Sequence, residues 1–211
     1  MRSLRLLANS LIALVICAAC SGVLAQDKGK MSNEEKAKVI NLLIDSNKAT
    51  INALEHLSDE QLNFRSAPGK WSIAEVAEHI MLAESLIFSA VERALAADPN
   101  PEWQAKTSGK TQLLEKALID RHSKAQAPES IVPSGKLTRV ELIAKLKESR
   151  EKTLKFAEET QLPLKYHTFD HPFPIFGTLN AYQWLFYIPL HNFRHNLQIA
   201  EIRTSPGFPK K

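Results

Sequence analysis

Two histidines one helical turn apart, in His191-Asn-Phe-Arg-His195, are the residues of this chain best spaced for chemistry. The stretch around them, Gly177 to Arg203, reads as one amphipathic helix. Trp184, Tyr187, Ile188, His191, His195, Gln198 and Ile202 recur at three- and four-residue steps and share a face. Imidazoles at i and i+4 then project side by side, as chelation of one cation from a single helix requires. The pair lies on the apolar stripe, where unligated rings need other hydrogen-bond partners. A third nitrogen has to come from elsewhere, and His79 is the obvious donor. The expectation is that His79, His191 and His195 meet inside a helical bundle and hold a divalent metal. An HxxxH pair taken alone describes two polar residues near a helix surface equally well.

Neutral imidazole suits zinc, nickel and related divalent ions. Three protein ligands leave at least one coordination position open, the arrangement of catalytic rather than closed structural sites. Such an ion can acidify water or activate a substrate thiolate. No acid or base stands out as its partner. Tyr187 and Gln198 are candidates to orient a ligand, against core packing for the first and a helix-end hydrogen bond for the second. The competing class is a non-enzymatic bundle that keeps the histidines for metal binding or stability.

Several helices must position these rings. Ser32 to Glu35 is a capping box opening a first helix that runs to about Leu57, with Ile40, Leu43, Ile44, Ile51 and Leu54 as its inner stripe. Asn47 lies on that stripe and needs a partner, either at the site or in a structural hydrogen bond. Residues 58–70 form a connector with Pro68-Gly69 as its turn signal. Ser72 and Glu75 make a second capping box, with Trp71 and Val76 placed for a hydrophobic staple, and the helix continues through Ile80, Ala83, Ile87 and Ala90 to near Ala96. The cap accounts for Glu75, although it also stands one turn before His79. Asp98-Pro-Asn-Pro101 stops this helix. Lys110 to about His122 is a short helix, and residues 123–136 are an ordered loop or lid. Thr138 and Glu141 cap a helix to about Glu159, with Ile143, Leu146, Leu154 and Ala157 inward. His167 and His171 mimic the HxxxH spacing, but Pro172 and Pro174 forbid a regular helix there, so their segment is a loop over one end of the bundle. His171 at the site mouth is the alternative. His56 and His122 sit among polar neighbours as surface residues. Pro189 removes a hydrogen bond inside the last helix and should bend it just before His191.

The segment W-S-x-x-E-x-x-x-H at Trp71 to His79, followed by H-x-x-R-H-x-x-Q-I at His191 to Ile199, resembles the DinB-like superfamily (DinB/YfiT type) over residues 32–203. The resemblance implies an all-α four-helix bundle, here with an extra short helix and a long connector between the second and third long helices. It also implies a three-histidine metal site and two branches of chemistry, metal-assisted hydrolysis and transfer or isomerisation with a small thiol such as bacillithiol or mycothiol.

A chain of 211 residues, 44% hydrophobic, is enough for one globular domain with a core. Residues 1–25 stand apart from it: Arg2 and Arg5 precede the apolar run Leu11 to Ala19, and Val23-Leu24-Ala25 offers a cleavage site, the pattern of a secretory signal peptide. Residues 26–31 are a polar lead-in and 204–211 a C-terminal tail expected to fray. The chain is thus expected to be exported, periplasmic or secreted, with no span in the mature protein. Ala18-Ala19-Cys20 resembles the end of a lipobox, so a lipid anchor at Cys20 is the alternative. The segment holds two arginines and no acid, and its removal takes the formal charge from +4 to +2. No basic patch remains, which argues against nucleic acid as a partner. Both cysteines, Cys17 and Cys20, lie in the segment, so a chain cut after Ala25 has no disulfide, thiol nucleophile or thiolate ligand. In an oxidising compartment cofactor thiols are scarce, which favours hydrolysis. The substrate is a small molecule, and a homodimer through exposed helix faces is compatible with the pattern.

Overall fold

The computed structural model describes residues 29–122 and 126–210. The segment read as a signal peptide, including Cys17 and Cys20, lies outside them. Among the described residues seven α-helices form: α1 (Asn33–His56), α2 (Asp59–Asn63), α3 (Ile73–Ala96), α4 (Trp103–Thr107), α5 (Lys110–Ile119), α6 (Arg139–Glu159) and α7 (Ala181–Arg203). Two three-residue strands, β1 (Thr168–Asp170) and β2 (Thr178–Asn180), pair antiparallel with Phe169 opposite Leu179. The architecture is the expected all-α bundle of four long helices. Among the described residues no helix is long and apolar enough to cross a membrane.

Helix starts follow local chemistry. Ser32 with Glu35, Ser72 with Glu75 and Thr138 with Glu141 each form a reciprocal capping box, as their spacing predicts. Ser58 with Gln61 and Asn180 with Gln183 do the same. The last two correct the sequence reading. The connector 58–70 contains α2, and α7 begins at Ala181 rather than Gly177 because Asn180 caps it while Thr178 to Asn180 pair with β1. The short α4 was also not anticipated. The tail does not fray where it is described: Phe208 packs edge-on against Phe64 at 5.5 Å, and Gln61 Nε2 donates to the Pro209 carbonyl at 2.9 Å.

The four long helices form a ring in which α1 packs on α7 and α6, and α3 likewise packs on α7 and α6. Helices α1 and α3, consecutive long helices in the chain, therefore occupy opposite corners. This order makes α3 a neighbour of α7 and so brings His79 alongside the HxxxH pair.

Two apolar clusters fill the bundle. The larger contains Leu43, Ile87, Val91, Leu114, Leu185 and Phe186, the smaller Leu54, Ile73, Val76, Ile80, Leu146 and Ile202. Between them, along all four helices, runs a buried polar belt: Ser46 and Thr50 on α1, His79 and Glu84 on α3, Arg150 and Thr153 on α6, Asn192 and His195 on α7. The belt explains two errors of phase. On α1 the expected inner residue Ile44 is 45% exposed, because the helix turns Ser46, Asn47 and Thr50 inward instead, and Ile40 and Ile51 are only partly buried. On α6 the buried face is Leu142, Leu146, Arg150, Thr153 and Ala157, with Ile143 and Leu154 at its margin.

Candidate metal centre

His79 comes from the second turn of α3, and His191 and His195 from the middle of α7. Ring centroids of His79 lie 5.3 Å from His191 and 4.5 Å from His195, and those of His191 and His195 are 4.5 Å apart. One ligand atom from each of the three falls within 4.8 Å of the others. The structure therefore brings the HxxxH pair together with His79, the third donor expected from elsewhere in the chain.

Each ring that has a fixed partner turns the same nitrogen inward. Nδ1 of His79 lies 2.8 Å from the carbonyl oxygen of Ile131, so it donates its proton there and leaves the Nε2 lone pair available. Nδ1 of His195 donates in the same way to Oε1 of Gln198 at 2.8 Å. A carbonyl or amide behind the ring is the usual support of a ligating imidazole. The Nε2 atoms of His191 and His195 stand 3.3 Å apart. Two nitrogens each about 2.0–2.1 Å from one tetrahedral ion are themselves about 3.3 Å apart. The donor set thus fits a divalent cation such as zinc.

Electrostatics favour the neutral, ligating form. Burial lowers the basicity of all three rings. His195 falls to about 3, through burial first and then the neighbouring His79. His191 drops well below the usual histidine value, through burial and then His195, His79 and Arg194.

The walls are aromatic. Trp71 packs its indole 4.8 Å from the His79 ring, and Tyr187 lies nearly parallel to His191 at 6.0 Å. Tyr187 stacks in turn on His171, which lies almost flat on Trp184 at 4.9 Å. His171 therefore sits one ring away from the histidine cluster, and it is not among the three convergent donors. The β1–β2 hairpin that carries it replaces the irregular loop expected there. His167 bonds the Ala97 carbonyl, while His56 and His122 bond local acceptors at the surface, as expected.

Other expectations resolve in detail. Glu75 is the cap, with Oε2 accepting from Ser72 N at 2.8 Å, and it also pairs with Arg65 at 2.5 Å. Gln198 orients His195 rather than ending the helix. The hydroxyl of buried Tyr187 is held firmly protonated by its burial. The structural hydrogen bond expected of Asn47 is not made by its buried side-chain oxygen, which has no partner. Arg194 in the H-x-x-R-H motif reaches away to the carbonyls of Leu118 and Asp120, joining α7 to the end of α5. Ile131 and Glu78 were not anticipated. Ile131 acts through its backbone, which no side-chain pattern reveals, and Glu78 looks like one more solvated acid on α3.

A four-helix ring with three convergent imidazoles contributed by its second and last long helices defines a recognisable class. The chain belongs to the DinB superfamily, whose model matches residues 42–199. It is 30% identical over 158 residues to the uncharacterized protein YuaE of Bacillus subtilis strain 168, covering 73% of this chain and 90% of that one. Its fold is similar to that of YfiT from Bacillus subtilis, described as a probable metal-dependent hydrolase with an unusual four-helix bundle topology. That match has a TM-score of 0.54 at 17% identity and covers 85% of this chain and 92% of YfiT.

Proposed function

We propose that this protein is a metal-dependent hydrolase of a small molecule, with His79, His191 and His195 as the ligands of one divalent ion, zinc or nickel. The observation that carries the reading is the shared orientation of the rings: Ile131 and Gln198 take up the outer protons of His79 and His195, leaving Nε2 of each for a cation. The description of YfiT as a probable metal-dependent hydrolase supports the hydrolytic branch over small-thiol transfer. Lewis acidity is what such an ion supplies when bound, polarising a substrate carbonyl or phosphoryl group and making water more acidic. The chain's own part is to hold three neutral bases in fixed register and to exclude bulk water with Trp71 and Tyr187. Export through residues 1–25, with lipidation at Cys20 as the alternative, belongs to the same proposal. So does the absence of a nucleic-acid partner, and a homodimer fits it equally.

A second reading has an observation of its own. The surface cleft lined by Arg65, Glu75, Glu78 and Gly135 and the one lined by Asn100, Lys106, Phe169 and Asp170 both exclude the three histidines. His79 and His195 are 3% and 8% exposed, while His191 is half-buried. Burial of two of the three ligands suits a metal that serves stability alone, whereas the partly exposed His191 leaves an approach for the enzyme reading. Elemental analysis of the untagged mature protein, followed by cobalt substitution and titration with azide, separates the readings. About one equivalent of metal, with a visible spectrum that shifts on adding azide, is expected for the enzyme. A spectrum indifferent to azide makes the site structural. Full metal occupancy in His79→Ala or His195→Ala overturns the ligand set.

A further inference from the structure

Consecutive residues of α3, Glu78 and His79, grip the same loop. His79 Nδ1 meets the Ile131 carbonyl, while the carboxylate of Glu78 receives three hydrogen bonds from residues three and four positions further on. Oε1 accepts from Ser134 N at 2.9 Å and Ser134 Oγ at 2.7 Å, and Oε2 accepts from Gly135 N at 2.8 Å. Glu78 is almost wholly buried, although Ser134 and Gly135 are exposed. An acid taken out of water is costly unless its oxygens are hydrogen-bonded. One external loop supplies these bonds with two backbone N–H groups and a hydroxyl, so acid and loop hold each other in place.

The loop is built for this seat. A single 3₁₀ turn, Glu129–Ile131, ends with the Ile131 side chain in the larger core and its carbonyl aimed at His79. Gly135 then adopts φ +67°, and a Cβ there would lie 3.2 Å from Oε1 of Glu75. Glycine takes this conformation without strain, and any Cβ there would press on the Glu75 carboxylate, which would have to give by a few tenths of an ångström.

We propose that Glu78 is a positioning residue for the metal centre: by clasping Ser134 and Gly135 it holds the 126–136 strap against α3, so that the Ile131 carbonyl fixes His79 as the Nδ1–H tautomer with Nε2 facing the cluster. The metal consequence rests on the ligand reading above, whereas the tautomer does not. Outer partners of metal-bound histidines typically govern affinity by about 10–100-fold.

The test compares wild type with Glu78→Gln, which keeps the shape but sets an N–H₂ group against the Gly135 N–H. Gly135→Val serves as a second variant, opposing the seat from the loop side with no change of charge. In the metal-free proteins, imidazole nitrogen NMR reads the His79 tautomer, and chelator competition then measures zinc affinity. Wild-type His79 is expected as a single Nδ1–H species. Both variants are expected to show mixed tautomers and zinc binding about 10–100-fold weaker, with His195 still Nδ1–H and helical content unchanged. A single Nδ1–H tautomer retained in both folded variants overturns the role of Glu78. If one variant fails to fold, the other decides. A wild type that binds no zinc, with the tautomer change still present in the variants, sinks the metal reading and leaves the clasp standing.

Discussion

Gln198 accepts the Nδ1 proton of His195 at 2.8 Å, one turn further along the same helix. The contact fixes which nitrogen of His195 faces His79 and His191, and it raises the ring's electron density toward a cation. Gln198→Leu is expected to leave the helical fold intact while weakening zinc binding by about 10–100-fold, and Gln198→Glu to strengthen it. Chelator-competition titrations of the two variants check this. Equal affinities in wild type and Gln198→Leu would show that the helix alone orients the ring.

Arg150 and Glu84 form an ion pair at 2.9 Å in the middle of the belt, each 2% exposed as a residue. Their remaining capacity is used. Arg150 also reaches the Leu43 carbonyl, Ser46 Oγ and Asn192 Oδ1, and Thr153 Oγ1 donates to Glu84 at 2.8 Å. Asn192 Nδ2 donates to Thr50, which donates to Asn196, so the network ties all four long helices beside the histidines. Removing one partner strands a buried charge. Glu84→Leu is expected to cost about 3–5 kcal/mol, whereas Glu84→Leu with Arg150→Met is expected to cost less than the single change. Urea denaturation of both variants reads the difference. A double variant no more stable than Glu84→Leu alone would mean that the two charges do not act as a pair.

What was legible in the chain was mostly local. The capping boxes at Ser32, Ser72 and Thr138 place three helix starts because their partners lie three residues away. The same signal stands at Asn180 and Gln183, and the structure puts the start of α7 there rather than at Gly177. The first half of α7 is buried on every side, so its periodicity carries little information about where it begins. The phases of α1 and α6 are hidden in the sequence because Ile44 and Ile143 look like core residues and Arg150 looks like a surface one. Only the tertiary pairing of Arg150 with Glu84 makes a polar face the inner face. His79, His191 and His195 emerged from helical spacing and resemblance together. The groups behind them did not, since the Ile131 carbonyl belongs to the backbone of a distant loop.

Asn47 is the belt's exception, with a buried Oδ1 that has no hydrogen-bond partner. Such an atom lacks the compensation that its neighbours enjoy. Asn47→Leu, which is close in size, is expected to raise stability by about 1 kcal/mol and to leave zinc affinity unchanged. Thermal and urea unfolding give the first quantity, and competition titration the second. A loss of stability would show that the amide is satisfied in solution, and a loss of metal would place it at the centre.

Acid should destabilise the metal-free protein in a window set by its buried imidazoles. His171 is held at about 4, mainly by burial, against an unfolded value near 6.5, and His195 at about 3. Above pH 6.5 neither form of the chain protonates these rings, and they add no pH dependence. As pH falls below 6.5 the unfolded chain takes up protons that the native state refuses, so stability drops until the native rings also titrate. For His171 that loss runs from about pH 6.5 to about 4. Each such ring contributes at most about 1.4 kcal/mol per pH unit within its window. His171→Phe keeps an aromatic ring between Trp184 and Tyr187 but cannot titrate, and it gives up the hydrogen bond that His171 Nδ1 accepts from Phe173 N at 2.9 Å. The variant is expected to be the weaker protein at pH 7 and to lose stability less steeply between pH 6 and 4. Urea denaturation across that range, in the presence of a chelator, compares the two slopes. Parallel slopes would mean that native His171 protonates like a free histidine and that its stack with Trp184 opens readily to water.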